Sequence, residues 1–172
     1  ANAKDFEGKT ALHYAAMSEL SVVIELVECG GANLDDVDNE GKTALHYAVY
    51  KSKPDEVVAY LLQAGASVTI PDEDGMTVLH NAAFKAPSVI PLLAPKSNLD
   101  ALDYDGRTPL HYVPYCNAIN AVTALVSEGA NVNIKDRQGK TCMSHALMKN
   151  DKQVIKYLLE QGFDPLLTST IQ

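Results

Sequence analysis

The sequence predicts an all-α solenoid of stacked helix-turn-helix units joined by β-hairpin-like turns, and three observations predict it. First, Thr10-Ala11-Leu12-His13-Tyr14-Ala15 returns as Thr43-Ala44-Leu45-His46-Tyr47-Ala48 and Thr77-Val78-Leu79-His80-Asn81-Ala82. It returns again as Thr108-Pro109-Leu110-His111-Tyr112-Val113 and, in a worn form, as Thr141-Cys142-Met143-Ser144-His145-Ala146, in steps of 33, 34, 31 and 33 residues. Second, an Asp-x-x-Gly turn stands before each copy. Third, pairs of apolar residues one helical turn apart follow four of the copies. A fixed period in this range means that each unit buries its apolar face only against its neighbours.

Within a unit the elements follow in order. The turns are Asp5…Gly8, Asp38…Gly41, Asp72…Gly75, Asp103…Gly106 and Asp136…Gly139. Asp at the first place and Gly at the fourth suit a type I β-turn in which the carboxylate accepts from backbone N–H groups ahead of it. Thr follows two residues later as an N-cap, with Pro109 at the first helical position of the fourth copy. The His three residues on stands where its side chain reaches back to the cap. The second helix carries Val22-Val23 with Leu26-Val27, Val57-Val58 with Leu61-Leu62, Ala121-Val122 with Leu125-Val126, and Val154-Ile155 with Leu158-Leu159. Gly30, Gly65, Gly129 and Gly162 are the expected C-terminal cap glycines. The unit boundaries fall near 5–37, 38–71, 72–102, 103–135 and 136–167, all in one domain.

Turn, helix, turn, helix at this period resembles the ankyrin repeat, whose T-P-L-H-x-A signature is nearly literal at Thr108 to Val113. The resemblance covers essentially the whole chain. It implies a non-catalytic protein–protein interaction scaffold that holds a protein or peptide on a concave groove and its turn tips. The alternative is a regulatory arm packing against an enzymatic, channel or DNA-binding domain of the same longer polypeptide. The opening Ala1-Asn2-Ala3-Lys4-Asp5 matches the end of a unit, so the chain reads as an excised piece of a longer protein. Gly162 to Leu167 begins like a sixth unit, but Thr168 to Gln172 offers no further turn.

Two units depart from the pattern. Pro87, Pro91 and Pro95 crowd the second helix of the third unit, where Ser88 is the expected cap and Leu93 the expected end. Lys96 stands there in place of a cap glycine. In the fourth unit Pro114 falls inside the first helix, at a cost of ~3 kcal/mol for an interior position, so a bent or shortened helix is expected. The array should be weakest in these two units.

Composition narrows the function. The 172 residues are 47% apolar, with no Trp and 3 Phe, which suits thin layers of Leu, Val, Ala and Ile. A net charge of −8 argues against direct nucleic-acid binding. No apolar run approaches the ~18 residues of a membrane span. Cys29, Cys116 and Cys142 form no disulfide or zinc pattern, which suggests an intracellular location, cytoplasmic or nuclear. No metal or cofactor is expected, and a monomeric array is. The phased histidines lie too far apart to share a metal and read as capping residues. No activated nucleophile, acid–base pair or phosphate loop appears, so no enzyme is expected.

The candidate binding residues form columns. Seven residues after each Thr stand Met17, Tyr50, Phe84, Tyr115 and Met148, all large and apolar. The family resemblance places this part of the first helix on the concave face. One helical turn before them lie Tyr14, Tyr47, Asn81, Tyr112 and His145, the last of these expected to be free to face a partner. Such Tyr- and Met-rich ladders are enriched in interface hot spots. Lys51, Lys85 and Lys149 run beside the ladder. At the turn tips Glu7, Glu40, Asp74 and Asp105 are not required by the turn and would steer a basic partner. Tyr104 and Phe6 are aromatic tip residues with no evident core to join.

Overall fold

A computed structural model describes residues 2–51, 54–115 and 119–163. Cys116 and the segment beyond Phe163 lie outside the described residues. The α-helices are α1 (Ala11–Ala16), α2 (Leu20–Glu28), α3 (Ala44–Ala48), α4 (Asp55–Ala64), α5 (Val78–Lys85), α6 (Ile90–Leu93), α7 (Pro109–Tyr112), α8 (Ile119–Ser127), α9 (Cys142–Lys149) and α10 (Lys152–Glu160). First helices touch first helices in the order α1, α3, α5, α7, α9. Second helices touch likewise, α2 against α4 and α6 against α8 against α10. The core is the seam between these two layers. Leu12, Leu45, Leu79 and Leu110 from the first layer and Val23, Leu61, Leu93, Leu125 and Leu158 from the second are at most 1% exposed.

The turns do what their residues dictate. Oδ1 of Asp5 accepts the N–H groups of Glu7 and Lys9, both at 2.9 Å, and Asp38, Asp72, Asp103 and Asp136 repeat the pattern. One backbone bond then links each tip to the next. Asn39 donates to Glu7 O at 3.0 Å, Glu73 to Glu40 O at 2.8 Å, Tyr104 to Asp74 O at 3.0 Å and Arg137 to Asp105 O at 2.9 Å. This close approach explains the turn glycine. Gly41 has φ +74°, and a Cβ there would meet backbone atoms of Asp72 at 3.1 Å.

Each first helix opens with a capping box. Nδ1 of His13 accepts the N–H of Thr10 at 3.0 Å, so the proton sits on Nε2, which donates to Lys42 O of the next unit at 3.0 Å. His80 and His111 make the same pair of contacts, with Nε2 on Arg107 O at 3.0 Å and on Lys140 O at 3.1 Å. His46 reaches Met76 O at 3.4 Å. One imidazole thus caps its own helix and bolts two units together. In the worn fifth copy Ser144 takes over the cap, its Oγ accepting from Thr141 N at 3.3 Å.

The proline-rich units follow expectation in part. Pro114 ends α7 after Tyr112, and the chain continues as a 3₁₀ turn over Val113–Tyr115. In the third unit α6 does stop at Leu93, where Pro95 forbids a further turn, and Ala94–Lys96 close it as 3₁₀. Ser88 is not the cap, however. Pro87–Val89 form a 3₁₀ turn entered from Ala86, because Pro87 already fixes a helical φ one residue earlier. Gly30 is a second correction. α2 ends at Glu28 with Cys29 as its C-cap, and Gly31 rather than Gly30 takes the left-handed conformation, at φ 58°. Gly65 at φ 99° caps α4 as the pattern predicts.

Candidate partner-binding surface

The column seven residues after the capping Thr projects outward along the first-helix layer. Met17 is 41% exposed, Tyr50 44%, Phe84 38%, Tyr115 37% and Met148 61%. Their neighbours of similar polarity two to five residues earlier, such as Leu45, Leu79 and Ala82, are sealed in the seam. Cations lie on two of the rings. Nζ of Lys85 stands 4.4 Å from the Phe84 centroid, and Nζ of Lys149 stands 4.4 Å from that of Tyr115.

The column one turn earlier behaves differently. The hydroxyls of Tyr14, Tyr47 and Tyr112 donate to Oδ2 of the turn aspartate of their own unit, Asp5 at 2.6 Å and Asp38 and Asp103 at 2.5 Å. Tyr14 remains 47% exposed, whereas Tyr47 and Tyr112 are half-buried. Burial pushes the Tyr47 phenol up to about 12, with Asp38 adding to the rise. Burial also works to raise Asp38, but the Tyr47 hydroxyl and the N–H groups of Lys42 and Glu40 outweigh it and leave that carboxyl below its ordinary value.

Asn81 and His145 are corrections to the expected ladder. Each is only 2% exposed, so neither presents a face to a partner. Asn81 Oδ1 accepts the Tyr50 hydroxyl at 2.7 Å. His145 sits between the Tyr115 hydroxyl at 3.0 Å and Asp136 Oδ2 at 2.8 Å. The physical reason is shared. A tyrosine in the outer column of one unit leans onto the next unit and covers whatever polar residue stands there. Both pairings join residues about thirty positions apart, and the signal for them is that each outer-column Tyr precedes a unit lacking the inner-column Tyr.

The tip acids Glu7, Glu40, Asp74 and Asp105 are all exposed, but three of them are matched by a cation two residues on. Glu7 pairs with Lys9 at 2.7 Å, Glu40 with Lys42 at 2.6 Å and Asp105 with Arg107 at 3.5 Å. The sequence carried this signal as a basic residue directly before four of the five capping threonines. Tyr104 is 62% exposed and lies across the third turn, where a Cβ on Gly75 would meet its ring at 2.8 Å. Phe6 is fully exposed. Among the described residues no three His, Cys, Asp or Glu side chains converge as metal ligands, and no helix is long and apolar enough to cross a membrane.

A model of ankyrin repeats in three copies matches residues 1–72 and 79–169. The chain belongs to the ankyrin-repeat family. Repeats of this family mediate protein–protein interaction. The chain is 30% identical over 169 residues to the B-cell lymphoma 3 protein homolog of Mus musculus, covering 92% of the chain and 38% of that protein. It is 49% identical over 45 residues to the ankyrin repeat protein OPG189 of Variola virus, which is 26% of the chain and 8% of that protein. Inversin of Gallus gallus is 36% identical over 73 residues, 42% of the chain and 7% of that protein. The chain therefore spans well under half the length of each of these relatives.

Proposed function

We propose that this ankyrin array is a non-catalytic scaffold that holds a protein or peptide along its first-helix layer, centred on Tyr50, Phe84 and Tyr115 and extended by the turn tips. The observation that carries this reading is the outer column itself. Five large apolar side chains at one phase are each more than a third exposed, whereas the leucine column of the same helices, Leu12, Leu45, Leu79 and Leu110, is sealed in the seam. An exposed apolar strip of this kind gains by being covered, at roughly 25 cal/mol per Å² of apolar area removed from water. Two of its members carry a lysine on the ring, which gives the strip a polar rim.

The partner is a protein segment with apolar anchors. The array works as a monomer inside the cell, in a reducing compartment where Cys29 stays a free thiol at the surface. Burial pushes the Cys142 thiol up to about 12, so it stays inert. The test replaces Met17, Phe84 and Met148 together by Ala, since the hydroxyls of Tyr50 and Tyr115 also hydrogen-bond across the joints between units. Partners captured from the native cell extract by the parent array should be lost by this variant while its helical circular dichroism is kept. Undiminished capture by a folded variant would refute the assignment.

A second reading has its own observation. The outer face of α2 carries a hollow lined by Val22, Glu25, Leu26, Cys29 and Gly30, with Val22 42% exposed. A further domain of a longer polypeptide packing there would make the array a regulatory arm. Val22→Glu would then weaken association with that domain and leave the groove partner bound.

A further inference from the structure

The first-helix layer has a charge of its own sign. The chain holds 22 acids against 14 Lys and Arg, yet no acid falls in α1, α3, α5, α7 or α9. What these helices expose is apolar, aromatic or cationic. Lys85 and Lys149 are the last residues of α5 and α9, and Lys51 follows Tyr50 just beyond α3. Among the described helices, acids are confined to the second layer: Glu25 and Glu28 in α2, Asp55 and Glu56 in α4, and Glu160 in α10.

Two sets of cations behave differently. At the turns, Lys9, Lys42 and Arg107 are each paired with the acid two residues back. Lys51, Lys85 and Lys149 form no ion pair among the described residues. Two of them lie on the apolar strip itself. Nζ of Lys85 stands over the adjacent Phe84 ring, and Lys149 reaches back across a joint to Tyr115, each at 4.4 Å from the centroid. An ammonium carries three donors, and a ring face occupies one side of it, so the other side is open to an acceptor. The tip acids stand at the opposite end of each first helix. Along α5 that separation is about 10 Å at 1.5 Å per residue, about one Debye length at 0.1 M salt, so the tips offset the lysines only weakly.

We propose that the partner segment held on the outer column is acidic, its carboxylates meeting Lys51, Lys85 and Lys149 and its apolar side chains covering Tyr50, Phe84 and Tyr115. The exposed strip takes the anchors and the unpaired ammonium groups take the acids, a charge complementarity that fixes the register of the segment. Neighbouring first helices stack roughly 8–10 Å apart, and an extended segment advances about 10 Å in three residues. One apolar and one acidic residue in every three therefore keep step with the units. This inference rests on the groove reading above and gives the partner of that surface its charge.

The experiment titrates the ¹⁵N-labelled array with an acetylated, amidated peptide of three Leu-Gly-Glu repeats, and with the same peptide carrying glutamine or lysine in place of glutamate. The glutamate peptide should shift the amides of residues 50–51, 84–85 and 148–149 most. It should bind about tenfold more tightly than the glutamine peptide, the sum of three exposed ion pairs, and the lysine peptide should bind weakest. Added salt should erase the preference for glutamate over glutamine. Lys85→Gln combined with Lys149→Gln should reduce that preference to about twofold and leave the affinity for the glutamine peptide as it was. Circular dichroism checks the fold, and Lys85→Gln alone carries the test should the pair misfold. Equal affinity for the glutamate and glutamine peptides, tighter binding of the lysine peptide, shifts centred elsewhere, or no shift with the glutamate peptide at about 1 mM would overturn the proposal. Failure here with partner capture still lost in the Met17, Phe84, Met148 variant would leave the groove reading standing and remove only the acidic chemistry.

Discussion

The second and third units share their turn and their Thr–His cap and depart from each other in the second helix and at the surface bonds. The second has a ten-residue α4 closed by Gly65 in the left-handed conformation. The third replaces it with a 3₁₀ turn, four residues of α6 and another 3₁₀ turn, closed by Ser97 Oγ donating to Leu93 O at 2.8 Å. The second ties Tyr47 to Asp38 and Lys42 to Glu40; the third has Asn81 and Met76 and neither bond. Yet Val57, Val58 and Leu61 in one and Val89, Ile90 and Leu93 in the other are all 0% exposed. The comparison teaches that the seam between layers sets the position of each unit. Helix regularity and surface bonds are adjusted around it.

The largest effect that would break this view comes from the seam. Leu61→Ala and Leu93→Ala should each cost ~2–5 kcal/mol in urea unfolding, comparable in both units despite the prolines. A much smaller loss at Leu93 would show the third unit to be loosely held. Next comes acid. His46 and His80 are both held below the ordinary imidazole value, mainly by burial, and His111 in the fourth unit likewise. A depressed folded pKa means stability that is complete above the unfolded value of about 6.5 and is lost as pH falls below it. The melting temperature should therefore drop between pH 7 and pH 5, and His46→Gln or His80→Gln should each flatten that drop.

Smaller effects sharpen the contrast between the two surfaces. Tyr47→Phe removes the hydroxyl that the third unit lacks and should cost ~1 kcal/mol at pH 7. Its alkaline signature is separate. Because the folded Tyr47 pKa is raised to about 12, its contribution is complete below the unfolded value of about 10 and fades as pH climbs from there. Tyr47→Phe should abolish that part of the alkaline decline in a thermal-melt series. The smallest change is expected from Lys42→Met, which copies the third unit into the second. Its ion pair with the exposed Glu40 is worth less than about 1 kcal/mol, measurable by a double-mutant cycle with Glu40→Gln.

Much of this molecule was legible in its sequence because its strongest rules are local. The turn aspartates, the Thr–His caps, the left-handed Gly65 and the early ends of α6 and α7 all depend on neighbours within a few positions. The inward turn of Asn81 and His145 was not legible at that range. Their environment is set by Tyr50 and Tyr115, about thirty residues away and in contact only once the units stack. The neutralised tips were hidden for a different reason. Lys9, Lys42 and Arg107 stand two residues from Glu7, Glu40 and Asp105, and it is the shape of the turn that folds each cation back beside its acid. At Gly30 the pattern places the left-handed glycine one residue early, because α2 ends at Glu28, Cys29 caps it and two glycines share the exit.

The imidazole joints carry a consequence for how such a chain changes over generations. Every joint offers the same donor at the same phase to the same carbonyl, so duplicating or excising one period would rejoin matching ends. The tyrosine contacts restrict that freedom. Tyr50 is made for Asn81 and Tyr115 for His145, so the second unit travels best with the third and the fourth with the fifth. Recombination would therefore be tolerated more readily at the joint between Phe84 and Tyr112 than within either couple.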